Sequence, residues 1–480
     1  MGNKTKIICT VGPASSSLDT LRELVHAGMD VARLNFSHGN YDVHLGTIEK
    51  IRRIREETGR NIGILQDLSG PKIRTGNLPE SGIELPTDSQ VHLKPGQEFS
   101  NDRVPPLVPV SYPSLLEDIG EGTRILLDDG LLELRVEKRA SDRLECRVVN
   151  GGLLLAHKGV NFPGCTLSSR APTQKDLEDL RFGLENGVDF VALSFVQNRE
   201  DVEALRREIE RRNGNVGVIA KLERQMALDN LDEILSVSDG VMVARGDLAI
   251  EAELTEIPIH QKKITHEANR RGVIAIIATQ MLDSMIRNPL PTRAEVTDVA
   301  NAIHDGADAI MLSGESAIGK YPVQAVKIMR RIADNIEEDI GVHRGWGREE
   351  RRLRYELVDM AVARSVCTSA EKLNASLIVA HTLSGQTARL ISQNRPSTPI
   401  VAVTPNESTF HQLSLVWGVE AVLMPGFDES FIEAVERGDR ELVRRGMAKE
   451  GDLVIISAGI PPGKSGGTNV MKAHRVGETQ

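Results

Sequence analysis

Charged and polar residues follow several of the short β-branched runs of this sequence. Lys221 and Glu223 stand two residues apart at the end of one run, and Asp247 follows the next run. Because side chains alternate along a strand, Lys221 and Glu223 share one face, to which the neighbouring strand adds Asp247. Two carboxylates suit Mg²⁺ or Mn²⁺, and the cations Lys221 and Arg33 suit a phosphate. This combination predicts phosphoryl transfer, which needs positioning and positive charge around the migrating group.

Each of these residues also has an ordinary structural explanation. A lysine and a glutamate two apart on a strand more often form a salt bridge, and Asp247 also fits as a helix cap. Thr279 alone fits an ordinary β-branched strand residue. However, at least six of the predicted strand ends carry polar or charged groups. Because a purely structural barrel needs none there, their convergence favours a functional site.

The strands that carry these residues belong to a repeating pattern. Amphipathic, helix-like stretches alternate with eight β-branched runs, at residues 6–11, 30–36, 61–67, 188–195, 216–222, 240–244, 273–279 and 307–313. The pattern predicts an α/β fold, a (β/α)8 TIM barrel, whose parallel strands bring their carboxyl ends to one face. Polar residues at those ends are therefore expected to meet.

Two further segments interrupt or follow this pattern. Frequent Gly and Pro and short alternating runs between about residues 71 and 170 predict an all-β domain inserted after the third strand. From about residue 341 a second α/β pattern begins. We therefore expect barrel segments at 1–70 and 171–340, an inserted β-barrel domain at 71–170 and a C-terminal α/β domain at 341–480.

Composition narrows the classes of partner. The 480 residues include 58 Lys and Arg against 68 Asp and Glu, so the net charge is -10. This balance argues against a general surface for nucleic acid or anionic membrane. The four cysteines lack CxxC spacing, which disfavours a disulfide framework or a zinc site and fits a reducing cytoplasm. Neither a signal peptide nor a membrane span is expected.

Motifs along essentially the whole chain resemble those of the pyruvate kinase family. They occur in the family's order, at residues 6–15, 31–39, 70–76, 158–161, 242–248, 278–281, 291–295 and 311–315. The resemblance implies a (β/α)8 barrel, an inserted β-barrel lid and a C-terminal regulatory α/β domain. It also implies Mg²⁺-dependent phosphoryl transfer from phosphoenolpyruvate to ADP, giving pyruvate and ATP in the last step of glycolysis, by a cytoplasmic homotetramer.

The resemblance assigns roles to individual residues. Glu223 and Asp247 would bind the divalent metal, and Lys221 and Arg33 would neutralise charge on the migrating group. Thr279 would assist protonation of the enolate carbon through water. The remaining matches to family contacts are, for substrate, Gly246 and Ser313 together with Arg33, Lys221, Asp247 and Thr279, and, for nucleotide, Asn35, His38, Arg74 and Lys158.

The family's monovalent-cation site is matched only in part. The matching ligands are Asn35, Ser37, Asp67 and the carbonyl of Leu68. K⁺-dependent members have a glutamate where this chain has Lys72. A lysine ammonium there can supply the positive charge that K⁺ otherwise provides. The sequence therefore predicts activity without K⁺.

The C-terminal domain contains a loop that resembles the family's effector-phosphate loop. Its hydroxyls and N–H groups come from Thr382, Ser384, Gly385 and Thr387, and Lys464 lies in a second turn that offers further N–H groups. These groups suit the phosphate of a sugar phosphate or nucleotide. An ordinary turn capped by Ser384 or Thr387 explains the same residues equally well.

Two other functions fit the barrel. One is a different Mg²⁺-enolate enzyme, such as a phosphoenolpyruvate-using or aldol-cleaving enzyme, which would need neither ADP nor a closing lid. Lys158 and the complete inserted domain argue against it. The other is a catalytically silent regulatory protein, which would be marked by loss of Lys221, Glu223, Asp247 or Thr279, and the sequence retains all of them.

Overall fold

The structure is a computed structural model that describes residues 4–99, 104–343, 358–425, 431–460 and 467–478. Its strands are numbered in chain order. The first three are β1 Lys6–Thr10, β2 Val31–Asn35 and β3 Gly63–Asp67. The inserted strands are β4 Ile83–Leu85, β5 Gln90–Pro95, β6 Leu107–Val110, β7 Arg124–Leu127, β8 Leu132–Arg139, β9 Leu144–Asn150, β10 Gly152–Leu154 and β11 Val160–Asn161. The later strands are β12 Phe190–Leu193, β13 Gly217–Leu222, β14 Gly240–Ala244, β15 Ile274–Ala278, β16 Ala309–Leu312, β17 Leu377–His381, β18 Ile400–Thr404, β19 Val419–Leu423, β20 Leu453–Ala458 and β21 Val470–Arg475.

The helices follow the same numbering. Those up to the middle of the barrel are α1 Leu18–Ala27, α2 Tyr41–Thr58, α3 Leu115–Asp118, α4 Gln174–Glu185, α5 Arg199–Arg211, α6 Gln225–Asp229, α7 Leu231–Val237 and α8 Arg245–Glu251. The later helices are α9 Ile257–Arg271, α10 Arg293–His304, α11 Gly314–Ala317, α12 Pro322–His343, α13 Val358–Lys372, α14 Gln386–Gln393, α15 Glu407–Gln412 and α16 Phe431–Arg444. No helix in the described part of the chain is long and apolar enough to cross a membrane.

Eight parallel strands close into a barrel in the order β1, β2, β3, β12, β13, β14, β15 and β16. The predicted (β/α)8 barrel is thus confirmed. Helices cover the outside and side chains fill the inside, so the strands are buried on both faces. This double burial explains why they appear in the sequence as nearly continuous apolar runs rather than as an alternating pattern.

Four aspartates fix the amino ends of the barrel strands. Asp30, Asp189, Asp239 and Asp308 each directly precede a strand, β2, β12, β14 or β16. Each carboxylate accepts the N–H of a residue on a neighbouring strand at 2.7–2.9 Å. Each is also paired with an arginine, in the order Arg330, Arg55, Arg206 and Arg395. These contacts lie opposite the carboxyl ends, so they stabilise the barrel without occupying the site.

The insertion between β3 and β12 forms its own β domain. A six-stranded sheet runs in the order β11, β7, β8, β9, β5 and β6, and β10 pairs with β4. A separate apolar core, which includes Val91, Ile125, Leu134 and Val148, holds these strands together. The insertion is therefore a second folding unit placed at the carboxyl-end face of the barrel. Its boundaries at residues 71 and 170 stay a prediction.

The C-terminal α/β domain shares a core with the barrel. Its sheet runs in the order β19, β18, β17, β20 and β21, with only the last pair antiparallel. Barrel-interior residues such as Ile8, Leu65 and Ile219 belong to one buried cluster with Leu415 and Val416 of the C-terminal domain. The domain thus closes the amino-end face of the barrel, opposite the strand ends that carry the polar residues.

Leu415→Ala is expected to lower the free energy of unfolding by about 2–5 kcal/mol, because it opens a cavity in this shared core. Urea titration with a probe in each domain measures the effect. Both domains are expected to unfold together at lower urea. The control is Leu254→Ala, whose leucine is 67% exposed and which is expected to change little. Early unfolding of the C-terminal domain alone would contradict the shared core.

Candidate active site

The carboxyl ends of β3, β12 and β13 converge on the ammonium of Lys221. Its Nζ lies 2.6 Å from Ser194 Oγ, 2.9 Å from Glu223 Oε1 and 3.3 Å from Asp67 Oδ1. Lys221 and Glu223 share the inward face of β13 and its extension, as strand alternation predicts. The cluster is buried. Burial alone would lower the pKa of Lys221, but the charges of Asp67 and Glu223 raise it above its ordinary value, so the side chain stays cationic.

Arg33 adds a second fixed cation beside this cluster. From β2, its guanidinium Nη2 lies 2.6 Å from Asp67 Oδ2, and its Nη1 donates to Thr10 Oγ1 at 2.8 Å. Burial alone would raise the pKa of Asp67, but the charges of Lys221 and Arg33 hold it below its ordinary value. One buried carboxylate thus orients two cations at the strand ends, an arrangement suited to a migrating phosphoryl group.

Glu223 and Asp247 supply the carboxylates for a divalent cation. Glu223 Oε2 accepts the N–H of Phe195 at 2.7 Å, which fixes the side chain. Its pKa is raised, first by burial and further by the charge of Asp247, although Lys221 lowers it. Within the described residues, no group of three or more His, Cys, Asp or Glu side chains is placed to hold a metal. The donor set fits Mg²⁺, which takes one or two carboxylates and completes its shell with water and substrate oxygens.

Thr279 follows β15 and packs against the start of α8. Its Oγ1 accepts the N–H of Gly246 at 2.8 Å and donates to the carbonyl of Ala278 at 2.6 Å. Gly246 is matched to a family substrate contact, and in this structure its N–H is directed at the Thr279 hydroxyl. Ser313 follows β16, and its N–H donates to Glu315 Oε2 at 2.7 Å. Both residues stand at strand carboxyl ends.

The residues matched to the family's monovalent-cation site are engaged with one another and with their neighbours. Asn35 Oδ1 accepts the N–H of Ser37 at 3.1 Å, and the Leu68 carbonyl accepts the hydroxyl of Ser194 at 2.7 Å. Lys72 lies beside the candidate metal ligands, with its Nζ 3.9 Å from Asp247 Oδ1. The positive charge of Lys72 therefore lies next to Asp247, one of the two candidate metal ligands.

The candidate nucleotide contacts are not all gathered at the strand ends. His38 is exposed just beyond β2. Arg74 donates from Nη1 to the His157 carbonyl at 2.9 Å, and Lys158 pairs with Asp128 at 2.9 Å. The side chains of Arg74 and Lys158 thus contact the inserted domain rather than the Lys221 cluster.

Besides Lys72, a side chain of β11 joins the inserted domain to the site. Asn161 Nδ2 donates to Glu251 Oε1 at 3.0 Å, which links β11 to the end of α8. Because α8 carries Asp247, this contact connects the position of the inserted domain to a candidate metal ligand.

Two residues of the site stand at predicted strand ends but received no role from the sequence. Ser194 contacts Lys221, the Leu68 carbonyl and, at 3.4 Å, Asp67 Oδ1, so its hydroxyl is a centre of the cluster. Arg245 donates to the Thr279 carbonyl at 2.7 Å. The available signal was position, because both residues immediately follow a barrel strand.

The candidate effector loop precedes α14. Gly385 adopts φ +83° and donates its N–H to Thr382 Oγ1 at 2.9 Å. No described side chain caps α14, since Ser384 is exposed and Thr387 Oγ1 instead lies 2.8 Å from Thr468 Oγ1. The structure thus differs from the turn capped by Ser384 or Thr387. Lys464 lies outside the described residues.

Comparisons with known proteins agree with this arrangement. The family models "Pyruvate kinase, barrel domain" and "Pyruvate kinase, alpha/beta domain" match residues 2–326 and 360–474. The chain is 45% identical to a pyruvate kinase of Sporosarcina psychrophila, over 99% of this chain and 81% of that protein. It is 44% identical to a pyruvate kinase of Geobacillus stearothermophilus, over 100% and 81%.

A solved structure extends the similarity to three dimensions. The crystal structure of a pyruvate kinase from Cryptosporidium parvum superimposes with a TM-score of 0.89 at 35% identity, covering 99% of this chain and 96% of that one. Both family models and full-length relatives therefore match a chain whose barrel brings Lys221, Glu223, Asp247 and Thr279 to one face. The chain belongs to the pyruvate kinase family.

Proposed function

We propose that this chain transfers the phosphoryl group of phosphoenolpyruvate to ADP in the presence of Mg²⁺ or Mn²⁺, giving pyruvate and ATP. The observation that carries the proposal is the buried Lys221 ammonium, held between Asp67 and Glu223 with Arg33 alongside. Phosphoryl transfer requires preorganised positive charge around the migrating group, and this cluster fixes it before substrate arrives.

Glu223 and Asp247 would hold the divalent metal, which would supply positive charge for phosphoryl transfer when bound. Lys221 and Arg33 bind the migrating phosphoryl group and the enolate oxygen left behind. Asp67 keeps both cations in place, because it is bonded to each of them. The protein's share of the phosphoryl step is therefore orientation and charge, without a covalent intermediate.

After phosphoryl transfer, the enolate carbon must gain a proton to become the methyl group of pyruvate. Thr279 stands at the end of β15, where its hydroxyl can orient a water for that step. Gly246 and Ser313 border the same substrate position. The hydroxyl of Thr279 is already oriented by its bonds to Gly246 and Ala278, so the water it holds needs little reorganisation.

ADP binds between the barrel and the inserted domain. Asn35 and His38 approach it from the barrel side, and Arg74 and Lys158 from the inserted side. Closure of the inserted domain moves Arg74 and Lys158 towards the barrel and excludes water, which favours transfer over hydrolysis. The hydrogen bond between Asn161 and Glu251 connects the inserted domain to α8, so closure of that domain acts on α8 through this bond.

Lys72 makes the enzyme independent of K⁺. Its ammonium stands 3.9 Å from Asp247 and supplies a fixed positive charge at the metal and phosphate site. In the family scheme that charge comes from K⁺ held by Asn35, Ser37, Asp67 and the Leu68 carbonyl. A built-in cation removes the need for that ion.

We infer the cellular setting of the enzyme from the family to which the chain belongs. The enzyme acts in the cytoplasm as a homotetramer at the end of glycolysis. A sugar phosphate or a nucleotide binds the loop of Thr382, Ser384, Gly385 and Thr387 and regulates it. The uncapped start of α14 leaves N–H groups directed at this loop, which supports an anionic effector.

The first experiment measures pyruvate formation from phosphoenolpyruvate, ADP and Mg²⁺ in K⁺-free buffer, followed by addition of KCl. Immediate activity that KCl leaves unchanged supports the reaction and the role of Lys72. Activity that appears only with KCl keeps the reaction and discards the role of Lys72. Silence in both conditions contradicts the reaction and favours the silent scaffold or a different enolate enzyme.

Glu223→Gln is expected to raise the Mg²⁺ concentration for half-maximal activity by about tenfold or more, because it removes one of two anionic ligands. Mn²⁺ binding to the free protein, followed by electron paramagnetic resonance, gives a readout apart from activity. The matched control is Glu253→Gln, an exposed glutamate just after α8. Equal Mg²⁺ and Mn²⁺ affinities in Glu223→Gln and the parent protein would refute the assignment.

A further inference from the structure

The backbone at Thr279 adopts a conformation that β-branched residues avoid. Its φ is +68°, and Gln280 follows with φ +56°. A β-branched residue at positive φ is an outlier, since its Cβ substituents crowd the neighbouring carbonyl. Such strain persists only where the surroundings hold it, and it is concentrated at functional sites. Contacts that hold Thr279 therefore identify residues on which the site depends.

Arg245 makes the contact that holds this backbone. Its Nη2 donates to the Thr279 carbonyl at 2.7 Å, and its side chain is only 11% exposed. Its Nη1 is paired with Asp298 on α10, at 2.7 Å to Oδ2 and 2.8 Å to Oδ1. Gln261 Oε1 lies 3.4 Å from the same Nη1. The planar guanidinium thus has a defined orientation set from α9 and α10.

The residue next to Arg245 holds the other end of Thr279. Gly246 donates its N–H to Thr279 Oγ1. The first turn of α8 therefore makes two hydrogen bonds to Thr279. Arg245 donates to its carbonyl, and Gly246 donates to its hydroxyl. Rotation of the Thr279 backbone out of the left-handed region would break both bonds and redirect the hydroxyl.

We propose that Arg245, oriented by Asp298, is a positioning residue that holds Thr279 in its left-handed conformation and so aims the hydroxyl used in enolate protonation. This inference rests on the proposed function. Arg245 acts through Thr279 and does not itself transfer a proton. Its charge is already engaged by Asp298, which leaves orientation as its contribution.

The step that depends on this orientation is proton addition to the enolate. The electron pair of the C2–C3 double bond takes a proton from the water beside Thr279, and C2–O becomes the ketone of pyruvate. The water then regains a proton from solvent. The same step in reverse exchanges the methyl protons of pyruvate with solvent, and this exchange is measurable without net phosphoryl transfer.

The test compares Arg245→Met with the parent protein in two assays. One gives kcat and KM for phosphoenolpyruvate, and the other follows methyl-proton exchange of pyruvate in D₂O with ATP and Mg²⁺ by NMR. Arg245→Met is expected to lower kcat and exchange by about 30- to 100-fold, because small misplacement of a reacting group has effects of that size. KM is expected to stay within about threefold, as for an interaction absent from substrate binding.

Coupling to Thr279 separates positioning from other roles. If Arg245 acts through Thr279, the double variant Arg245→Met/Thr279→Ala exchanges no more slowly than Thr279→Ala alone. Multiplied effects in the double variant would overturn the proposal. A raised KM with unchanged kcat would overturn it as well, because it would make Arg245 a substrate contact.

Conservative variants and a control variant distinguish a loss of positioning from a general loss of structure. Arg245→Lys and Asp298→Asn keep polar side chains and are expected to lower exchange by about threefold to tenfold with an unchanged thermal midpoint. Arg206→Met removes a guanidinium that binds a carbonyl and Asp239 at the other end of β14, and it is expected to keep exchange near the parent rate. An equal loss in Arg206→Met would overturn the proposal. A parent protein that neither forms pyruvate nor exchanges its methyl protons would instead refute the proposed function.

Discussion

Lys221→Met is expected to lower kcat for pyruvate formation by about 10²- to 10³-fold, the usual effect of removing one preorganised group that stabilises developing charge. Methionine has nearly the same length and shape, so packing against Ser194 is retained while the ammonium is lost. Arg33 remains, and therefore KM for phosphoenolpyruvate is expected to change far less than kcat. Steady-state kinetics at saturating Mg²⁺ measure both quantities.

The same substitution affects stability, and the two effects must be separated. Glu223 is 1% exposed and would lose its cationic partner, while Asp67 would keep Arg33. Leaving one member of a buried pair alone costs about 3–5 kcal/mol of unfolding free energy. Kinetics are therefore measured well below the thermal midpoint of the variant. Bound Mg²⁺ is expected to recover part of the lost stability, because it supplies the missing positive charge.

Lys262→Met is the matched control for Lys221→Met. Lys262 is 65% exposed on α9, so its loss removes the same charge at the surface, while its partner Asp305, which is 7% exposed, keeps the amide of Gln261. It is expected to leave kcat unchanged. A Lys221→Met variant that is folded and keeps more than about a tenth of the parent kcat would contradict the role given to the ammonium.

The barrel was predictable because its signal is local. Each strand is a short apolar run, and the polar residue that ends it shows where the strand reaches the open face. Strand alternation placed Lys221 and Glu223 on that face, and the end of the neighbouring strand added Asp247. The structure brings the three together. Neighbouring parallel strands leave little freedom in where their ends lie.

The features that the sequence did not predict depend on contacts between distant segments. Ser194 stands at a predicted strand end, but its contacts with Lys221 and the Leu68 carbonyl depend on the pairing of β12 with β13 and β3. The left-handed backbone of Thr279 is invisible in a sequence, because threonine there predicts extended strand. Asp308 offers another example, since its bond to the N–H of Ala275 requires the register between β15 and β16.

Lys72 combines a predictable identity with an unpredictable position. The sequence supplies a lysine in place of the glutamate of K⁺-dependent members, but its distance from the metal ligands depends on how the chain leaves the barrel after β3. The structure places its Nζ 3.9 Å from Asp247 Oδ1, with both side chains partly exposed. Because Lys72 lies this close to Asp247, a lysine in place of the family's glutamate changes the charge beside the candidate metal ligand.

Lys72→Glu is expected to lower activity in K⁺-free buffer by about 10- to 100-fold, because a carboxylate replaces the cation next to Asp247. Added KCl is expected to restore most of the loss, since Asn35, Asp67 and the Leu68 carbonyl supply oxygen ligands and the introduced carboxylate adds an anionic charge. The parent protein is expected to show no response to KCl. Initial rates across a KCl series measure both, with tetramethylammonium chloride holding ionic strength constant.

A charge-matched control separates the effect of the position of Lys72 from the effect of the change in net charge. Lys138→Glu makes the same change on an exposed lysine of β8, in the inserted domain, and is expected to leave the rate and the K⁺ response as in the parent. A Lys72→Glu variant that is equally active with and without KCl would refute the substitution of K⁺ by lysine. A loss of activity that KCl does not restore would refute it as well, because K⁺ would then not replace the missing positive charge.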